Sequence, residues 1–473
     1  MDGIMKVLND YLTVINDFMY GKFLIVLLIV AGLYFTLRTK AVQIRLFPNS
    51  IKCVTEKGAE GKTSSFQALM VATASRVGTG NIAGVTTAIV LGGPGAIMWM
   101  WIMAIVGSAS AFIESTLAQV YKEADGDEYK GGPAYVIQRA LGQRWLGIVF
   151  AVILILTFGF GFNGLQSYTL TSAFSIYIDD FANSFAPIII GIILAAFAAV
   201  MFFGKSKVIS KVSSILVPIM AVLYILVGLI IFFMNIDKVP EAFRIIVDAA
   251  FDFKAIFGGF AGSCMVQGIK RGLFSNEAGM GSAPNAAATA DVSHPAKQGL
   301  VQVLSVFIDT ILICTTTAFI AVLAGPTGAV DANGELINGI PFVQMALDSQ
   351  FGQFGIHFIT LCIVLFASTS IIGNYYYVKL NIKFISESKT FMAVMNILLI
   401  LMVFVGANVD LAFAWNLADV LMGFMATINI ITIFILGNKA IKVLKNYEEQ
   451  RKAGKDPVFK AADVGITDTD FWK

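Results

Sequence analysis

Charge is what this chain has least of for its length. Asp, Glu, Lys and Arg make up 14% of its 473 residues, whereas 57% are hydrophobic. A soluble domain carries about 25% charged residues. A string of soluble domains is therefore excluded, although the length alone would hold about three. Cysteine is equally sparse. Cys53, Cys264, Cys314 and Cys362 stand far apart, with none of the paired spacing of disulfide frameworks or zinc sites. The only two histidines, His294 and His357, have no ligating neighbour at metal spacing, so no metal centre is expected around them. No Ser-His-Asp grouping and no nucleic-acid pattern is present, which points away from an enzyme and from a nucleic-acid partner. The phosphate-binding loop of ATPases is missing too, which argues against an ATP-driven pump within this chain. The first residues have neither a basic n-region nor a small-residue cleavage site, so no removable leader is expected. The net charge of +2 says little; the placement of the charges says more.

Long apolar runs are what the chain has in abundance, and mean hydropathy is +0.79. A membrane helix needs about 20 mostly apolar residues. Eleven segments qualify: 22–38, 66–91, 94–120, 145–177, 185–203, 208–235, 250–273, 298–324, 353–378, 390–406 and 412–437. The fourth contains Gly159, Gly161, Asn163 and Gly164 and is expected to tilt or bend there. The seventh is the weakest, diluted by Gly258, Gly259, Gly262 and Gly268. Lys and Arg gather in alternate connections: Arg38 to Lys62, Lys122 to Arg144, Lys205 to Lys211, Lys270 to Lys297, Lys379 to Lys389, and the tail from Lys439. The intervening connections carry Asp179, Asp180, Asp331, Glu335 and Asp410 instead, except for 235–249, whose charges are mixed. By the positive-inside rule this places the N-terminus outside and the C-terminus in the cytoplasm. Residues 44–56 and 129–144 read as short helices along the cytoplasmic face, and 438–473 as a polar, partly disordered tail.

Ala74-Ser75-Arg76-Val77-Gly78-Thr79-Gly80-Asn81 lies inside the second segment and is built to break a helix. Unwinding there frees backbone N–H and C=O groups in a medium where they must find partners. The fresh helix start near Asn81 suits a carboxylate, and the last carbonyls before the break suit a sodium ion. Read alone, the stretch is equally a packing face of small residues, because Gly80 and Gly84 have that spacing. The seventh segment decides between the two. Phe257-Gly258-Gly259-Phe260-Ala261-Gly262-Ser263 is a second interruption, five segments on. Five crossings invert the copy, and paired interruptions in inverted halves mark a midplane transport site. Segments 2–6 and 7–11 are then the two repeats. The domain limits that follow are 1–64 for the additional first helix and a cytoplasmic segment, 65–240 and 241–437 for the repeats, and 438–473 for the tail.

Other polar residues lie at usable depth. Asn163 and Gln166 are one turn apart, Gln267 follows the seventh-segment break, and Ser368-Thr369-Ser370 lies in the ninth segment. Ser and Thr hydroxyls either bind sodium or bond back to their own helix. Arg76 and Asp309 are intramembrane charges, each expected to be paired or wetted. For Arg76 the candidate partners are Asp309, Glu114 and Glu277, or the cytoplasmic vestibule. Gln302 and Gln344 read as packing or loop residues.

Three stretches then carry a family resemblance: Val77–Val85, Gly92–Trp101 and Arg271–Pro284, with Gly131-Gly132-Pro133-Ala134-Tyr135 as a shorter fourth. The chain resembles the alanine or glycine:cation symporters over essentially its whole length. Met98 departs from the family pattern, where an aromatic is usual. The resemblance implies a LeuT-type 5+5 inverted-repeat fold, all-α with eleven membrane helices, and sodium-driven uptake of alanine or glycine. On that reading Gly78, Thr79, Gly80 and Asn81 hold the substrate carboxylate. Phe257, Phe260, Gly262, Gln267, Asn163 and Gln166 meet the remainder of the substrate, and Phe162 and Phe260 limit its side chain. Sodium sits between the Ala74 and Val77 carbonyls and Thr369 and Ser370. Asn276 and Glu277 belong to a cytoplasmic loop with a capping or gating role. Proton coupling through Asp309 is the alternative within the same class; a channel or an amino-acid sensor is the alternative outside it.

Overall fold

A single rod, α1 (Lys6–Arg38), opens the chain. It starts well before the apolar run beginning at residue 22 and contains one wide turn at Met19–Phe23. The computed structural model describes residues 2–472 except 57, 127, 205, 253–258, 260–262, 327, 331–333, 335 and 410, and describes only the backbone of 2–5, 206–208 and 210. Among the described residues, eight helices are long and apolar enough to cross a membrane. Many of their outward residues are apolar, as on the helix Ser206–Met234, where Ile215, Ile219, Val222, Leu226, Ile230 and Phe233 are exposed. Such a surface suits an apolar surrounding such as a membrane better than water.

The second apolar segment is two helices, α2 (Ser65–Arg76) and α3 (Val85–Gly92). A reciprocal cap starts α2: Ser64 Oγ accepts from the Gln67 N–H at 3.2 Å, and Gln67 Oε1 accepts from the Ser64 N–H at 3.0 Å. The helix stops at Val77, whose ψ of 88° is non-helical, and a wide turn at Gly80–Gly84 leads into α3. The helix α4 (Ala96–Val120) follows. Beyond it come a hairpin of β1 (Glu123–Asp125) and β2 (Glu128–Lys130) and the amphipathic helix α5 (Pro133–Leu141). The fourth segment, α6 (Arg144–Tyr177), contains a wide turn at Ile155–Phe162, where the glycines were expected to bend it.

The seventh segment differs from its sequence-based expectation. Val239–Ala250 is a separate amphipathic helix. The interruption expected at 257–263 falls largely outside the described residues, and Phe257, Phe260 and Gly262 are among those not described. The described part is α7 (Cys264–Asn276), an irregular stretch at 277–283, and α8 (Pro284–Thr289). Glu277, Gly279 and Gly281 all have positive φ there. Residues 271–283 are buried throughout, so this is an interior break and not the loop that the sequence led us to expect.

The remaining long helices are α9 (Pro295–Ala324), with a wide turn at Phe307–Cys314, then α10 (Gln353–Ile385), α11 (Lys389–Gly406) and α12 (Leu411–Lys452). The tail also departs from expectation. Residues 457–472 fold back on the bundle end, and Phe459, Ile466 and Trp472 are buried. The indole N–H of Trp472 donates to the Gln119 carbonyl at 2.7 Å, and Asp470 pairs with Arg139 at 2.6 Å.

Candidate functional site

The two interrupted segments cross at their breaks. Ser75 Oγ lies 2.9 Å from Glu277 Oε1, and Asn81 Nδ2 donates to Ser275 Oγ at 3.0 Å. A methyl on Gly80 would lie 2.5 Å from the Phe274 ring, and one on Gly84 would lie 3.8 Å from Arg271 Cδ. Residue numbers rise along one segment as they fall along the other, so the two run antiparallel. Three wide turns converge on this crossing, bringing Asn81, Phe162 and Asp309 into it. Such turns displace side chains from the helical register and recur at functional sites.

Backbone groups freed by the first break have specific partners. The Gly78 N–H donates to Asn81 Oδ1 at 2.9 Å, and the Thr79 N–H to Gln166 Oε1 at 3.1 Å. The Ser370 hydroxyl donates to the Val77 carbonyl at 3.3 Å. Thr369 instead bonds back to the Leu365 and Phe366 carbonyls at 3.0 Å, so of this pair only Ser370 reaches the break. Close approach of α10 brings it there: a methyl on Gly373 would lie 2.6 Å from the Ser75 nitrogen and 3.0 Å from the Ala74 carbonyl carbon.

Asp309 is fully buried. Its carboxylate accepts from Asn81 Nδ2 at 2.6 Å, Ser275 Oγ at 2.6 Å and Thr310 Oγ1 at 3.0 Å. Glu277 accepts from Ser75, and from Ser282 Oγ at 2.6 Å. Asn163 is one link further out, with its Oδ1 3.0 Å from Asn374 Nδ2, and Asn374 Oδ1 lies 2.7 Å from Ser75 Oγ. Phe162 packs on Phe274 with ring centres 4.5 Å apart, and Phe274 packs on Trp415 at 5.1 Å. Beyond the rings, Arg271 and Lys270 share the Asp419 carboxylate at 2.6 and 3.0 Å. A cavity of about 600 Å³ between 168–187, 336–341 and 407–411 reaches down to Ala83.

Some expected members of the site lie elsewhere or have other partners. Gln267 packs against Gly92, at the far end of α3 and roughly 11 Å along α7 from Phe274 by helix rise. Arg76 forms no ion pair with Asp309, Glu114 or Glu277; it donates to Gln302 Oε1 at 3.2 Å, so Gln302 is not a mere packing residue. Glu114 is held by the Gly279 and Gly281 N–H groups and Asn429. Asn276 Oδ1 accepts from the Ala278 N–H at 3.0 Å, a capping contact at the second break. Sequence reasoning missed Ser75, Phe274, Ser275, Asn374 and Asp419. For Asp419 a signal existed, since it is an acid inside an apolar span. Ser75 and Ser275 carry no such mark.

An interrupted helix pair at the centre of an apolar bundle, lined with backbone and hydroxyl donors, is the architecture of a secondary transporter. Residues 5–461 match the profile of the Sodium:alanine symporter family, and the chain belongs to that family. It is a multi-pass membrane transporter, not a member of an enzyme class. It is 47% identical to the amino-acid carrier protein AlsT of Bacillus subtilis, covering 98% of each chain. It is 44% identical to the probable sodium/glutamine symporter GlnT of the same organism, over 96% of this chain and 94% of that one. Among solved structures it is similar to MhsT in complex with L-phenylalanine, with a TM-score of 0.54 at 13% identity over 82% of this chain and 99% of that one. At that identity the likeness establishes the LeuT-type fold alone.

Proposed function

We propose that this chain imports small neutral amino acids, alanine and glycine, by alternating access coupled to sodium entry. The observation that carries this is the antiparallel passage of the first break, Gly78–Asn81, along the last turn of α7 and the start of the second break, Phe274–Glu277. The N–H groups of Thr79, Gly80 and Asn81 stand at the positive end of the helical run Gly80–Gly92 and suit the substrate carboxylate. Gln166, now on the Thr79 N–H, is placed to take the substrate amino group instead. The Ala74 and Val77 carbonyls with Ser370 form the sodium site, with Thr369 a weaker candidate because it bonds back. Asp309 with the Ser275 and Thr310 hydroxyls makes a second cluster of hard oxygen ligands, to which Asn81 presents its amide nitrogen. Phe274 stands over Gly80 and Phe162 packs on it, and this crowding is what would limit the substrate side chain to a methyl group or a hydrogen.

The topology proposed with it has eleven crossings, the N-terminus outside and the C-terminus in the cytoplasm of a cell whose plasma membrane it spans. Segments 2–6 and 7–11 form inverted repeats with α1 outside them, divided near 65, 241 and 438. The antiparallel segments and the alternating loop charges support this arrangement, although Lys270 and Arg271, expected in a loop, are buried inside α7 on Asp419.

Labelled alanine uptake into proteoliposomes is expected to follow an imposed inward sodium gradient and to be inhibited by unlabelled glycine. Uptake driven by a pH step and indifferent to sodium sinks the coupling. Glutamine is the second substrate reading, favoured by the likeness to GlnT. It displaces the first if glutamine outcompetes alanine.

A further inference from the structure

Thr79, Asn163, Arg271 and Asn276 each leave a buried polar atom unpartnered among the described residues, but Arg76 differs from the neighbouring cations Lys270 and Arg271 in also having no ion pair there. It is buried, 2% exposed, at the last turn of α2 and directly before the break. One guanidinium nitrogen donates to Gln302; Nε and Nη2 have no hydrogen-bond partner among the described residues. Leaving charged donors unpaired in an apolar interior is costly, so such a group is poised for another partner. Its charge acts on three buried carboxylates: Glu114, Glu277 and Asp309. Glu114 already has three N–H donors, and Asp309 has an amide and two hydroxyls. Among the described residues Glu277 has only the hydroxyls of Ser75 and Ser282, although a carboxylate accepts about four bonds. Ser75 is Arg76's neighbour in the chain, so Glu277 is also the acid most directly tied to this turn of helix.

We propose that Arg76 is the internal cation that replaces sodium at the first break, turning from Gln302 to Glu277 when the carrier returns empty. This rests on the reading of the chain as a sodium-coupled symporter. Sodium between Val77 and Ser370 lies two residues from the Ser75 hydroxyl that Glu277 holds, so the ion compensates that carboxylate while it is bound. Its departure removes one positive charge from a low-dielectric region. Arg76 restores the local balance by moving an existing charge, with no proton taken up or released. Non-helical Val77 provides the hinge, since no intact helical turn follows Arg76. The proposal gives the return step a requirement that the loaded step lacks.

The test separates those two steps in proteoliposomes. Net alanine uptake driven by sodium requires the empty return. Alanine–alanine exchange, with sodium and alanine equal on both sides, does not. Arg76→Gln is expected to lower net uptake about tenfold or more while exchange stays within about twofold, and Arg76→Lys to keep both. An equal fall in both fluxes, or no fall in either, overturns the role. Gln302→Leu is a second test that keeps the arginine. Released from its resting contact, Arg76 competes better with the ion, and the sodium concentration for half-maximal uptake is expected to rise about fivefold. An unchanged sodium dependence in Gln302→Leu overturns the proposal even if Arg76→Gln protein cannot be recovered. Wild-type uptake that ignores sodium overturns the symport reading and this inference together; normal wild-type coupling with unsplit fluxes in Arg76→Gln overturns this inference alone.

Discussion

Gly78 has no space for a side chain. A Cβ there would lie 2.3 Å from Ser370 Oγ and 2.9 Å from Gln166 Nε2, the two residues that hold the break from α10 and α6. Gly78→Ala therefore has to push the hydroxyl off the Val77 carbonyl or the amide off the Thr79 N–H. Both contacts belong to the proposed ion and substrate sites. The expected outcome is a loss of alanine uptake of about tenfold or more, equivalent to at least 1.4 kcal/mol, with the protein still eluting as one species in detergent. Uptake within twofold of wild type would show that these contacts are dispensable. At this scale the sequence was informative about the glycines, because a Gly-Thr-Gly-Asn run inside an apolar span breaks a local rule. It was uninformative about Ser75 and Ser275, whose hydroxyls matter only because another helix crosses beside them.

At the scale of the element, the start of α9 holds a pH-sensitive joint. His294 is its N-cap, with Nδ1 accepting from the Ala296 N–H at 3.2 Å and Nε2 3.2 Å from Asn446 Oδ1 on α12. Burial pushes its imidazole down to about 4, against an unperturbed 6.5. The folded state thus binds this proton more weakly than the unfolded chain does. Stability from the neutral ring is complete above pH 6.5 and is lost as pH falls from 6.5 through 4. The span of about 2.5 pH units is worth roughly 3 kcal/mol at most. We expect the melting temperature in detergent to fall over that window, and His294→Asn, which keeps an N-cap acceptor, to flatten the fall. A fall of unchanged size in the variant would place the effect elsewhere. The seventh segment shows the limit of reading elements from sequence. Its glycine-rich stretch drew the expected break to 257–263, whereas the described interruption is at 277–283, among residues that resemble a loop by their Ser, Asn, Glu and Gly content. Composition cannot separate an irregular stretch in water from one buried between helices, because both satisfy their backbone without a ladder.

Considered whole, the molecule is tied at one end by its own tail. The Lys122 ammonium is buried 4.1 Å from the Tyr129 ring centre, 4.4 Å from Phe471 and 5.0 Å from Trp472, and it donates to the Ala290 carbonyl. The Phe459 N–H bonds the Ser293 carbonyl, and Asp456 pairs with Lys297. These contacts join the ends of α4, α9 and α12 through one segment. Trp472→Ala removes an aromatic of about 3 kcal/mol in burial and strands the Gln119 carbonyl. The expected result is new trypsin cleavage at Lys455 and Lys460 with the membrane core intact; a tail that stays resistant would show that the other contacts suffice. Polar composition alone made this tail look partly disordered, because a handful of aromatic anchors counts for little in an average.

The apolar runs and the alternating loop charges could be read from the sequence alone, and the Gly78–Asn81 stretch could be named as a candidate break that the structure then shows. Each follows from local physics: lipid demands about 20 apolar residues per crossing, and two glycines flanking a threonine weaken a helix there. The family followed from stretches long enough to be specific. Only the tertiary structure decided which groups meet. It set Ser370 rather than Thr369 on Val77, Gln302 rather than an acid on Arg76, and Glu277 inside the site rather than in a loop. Those choices depend on how closely α10 and α7 approach the broken segment and on which face each turns to it. That is a property of packing between residues some 200 to 300 positions apart, and no local pattern encodes it.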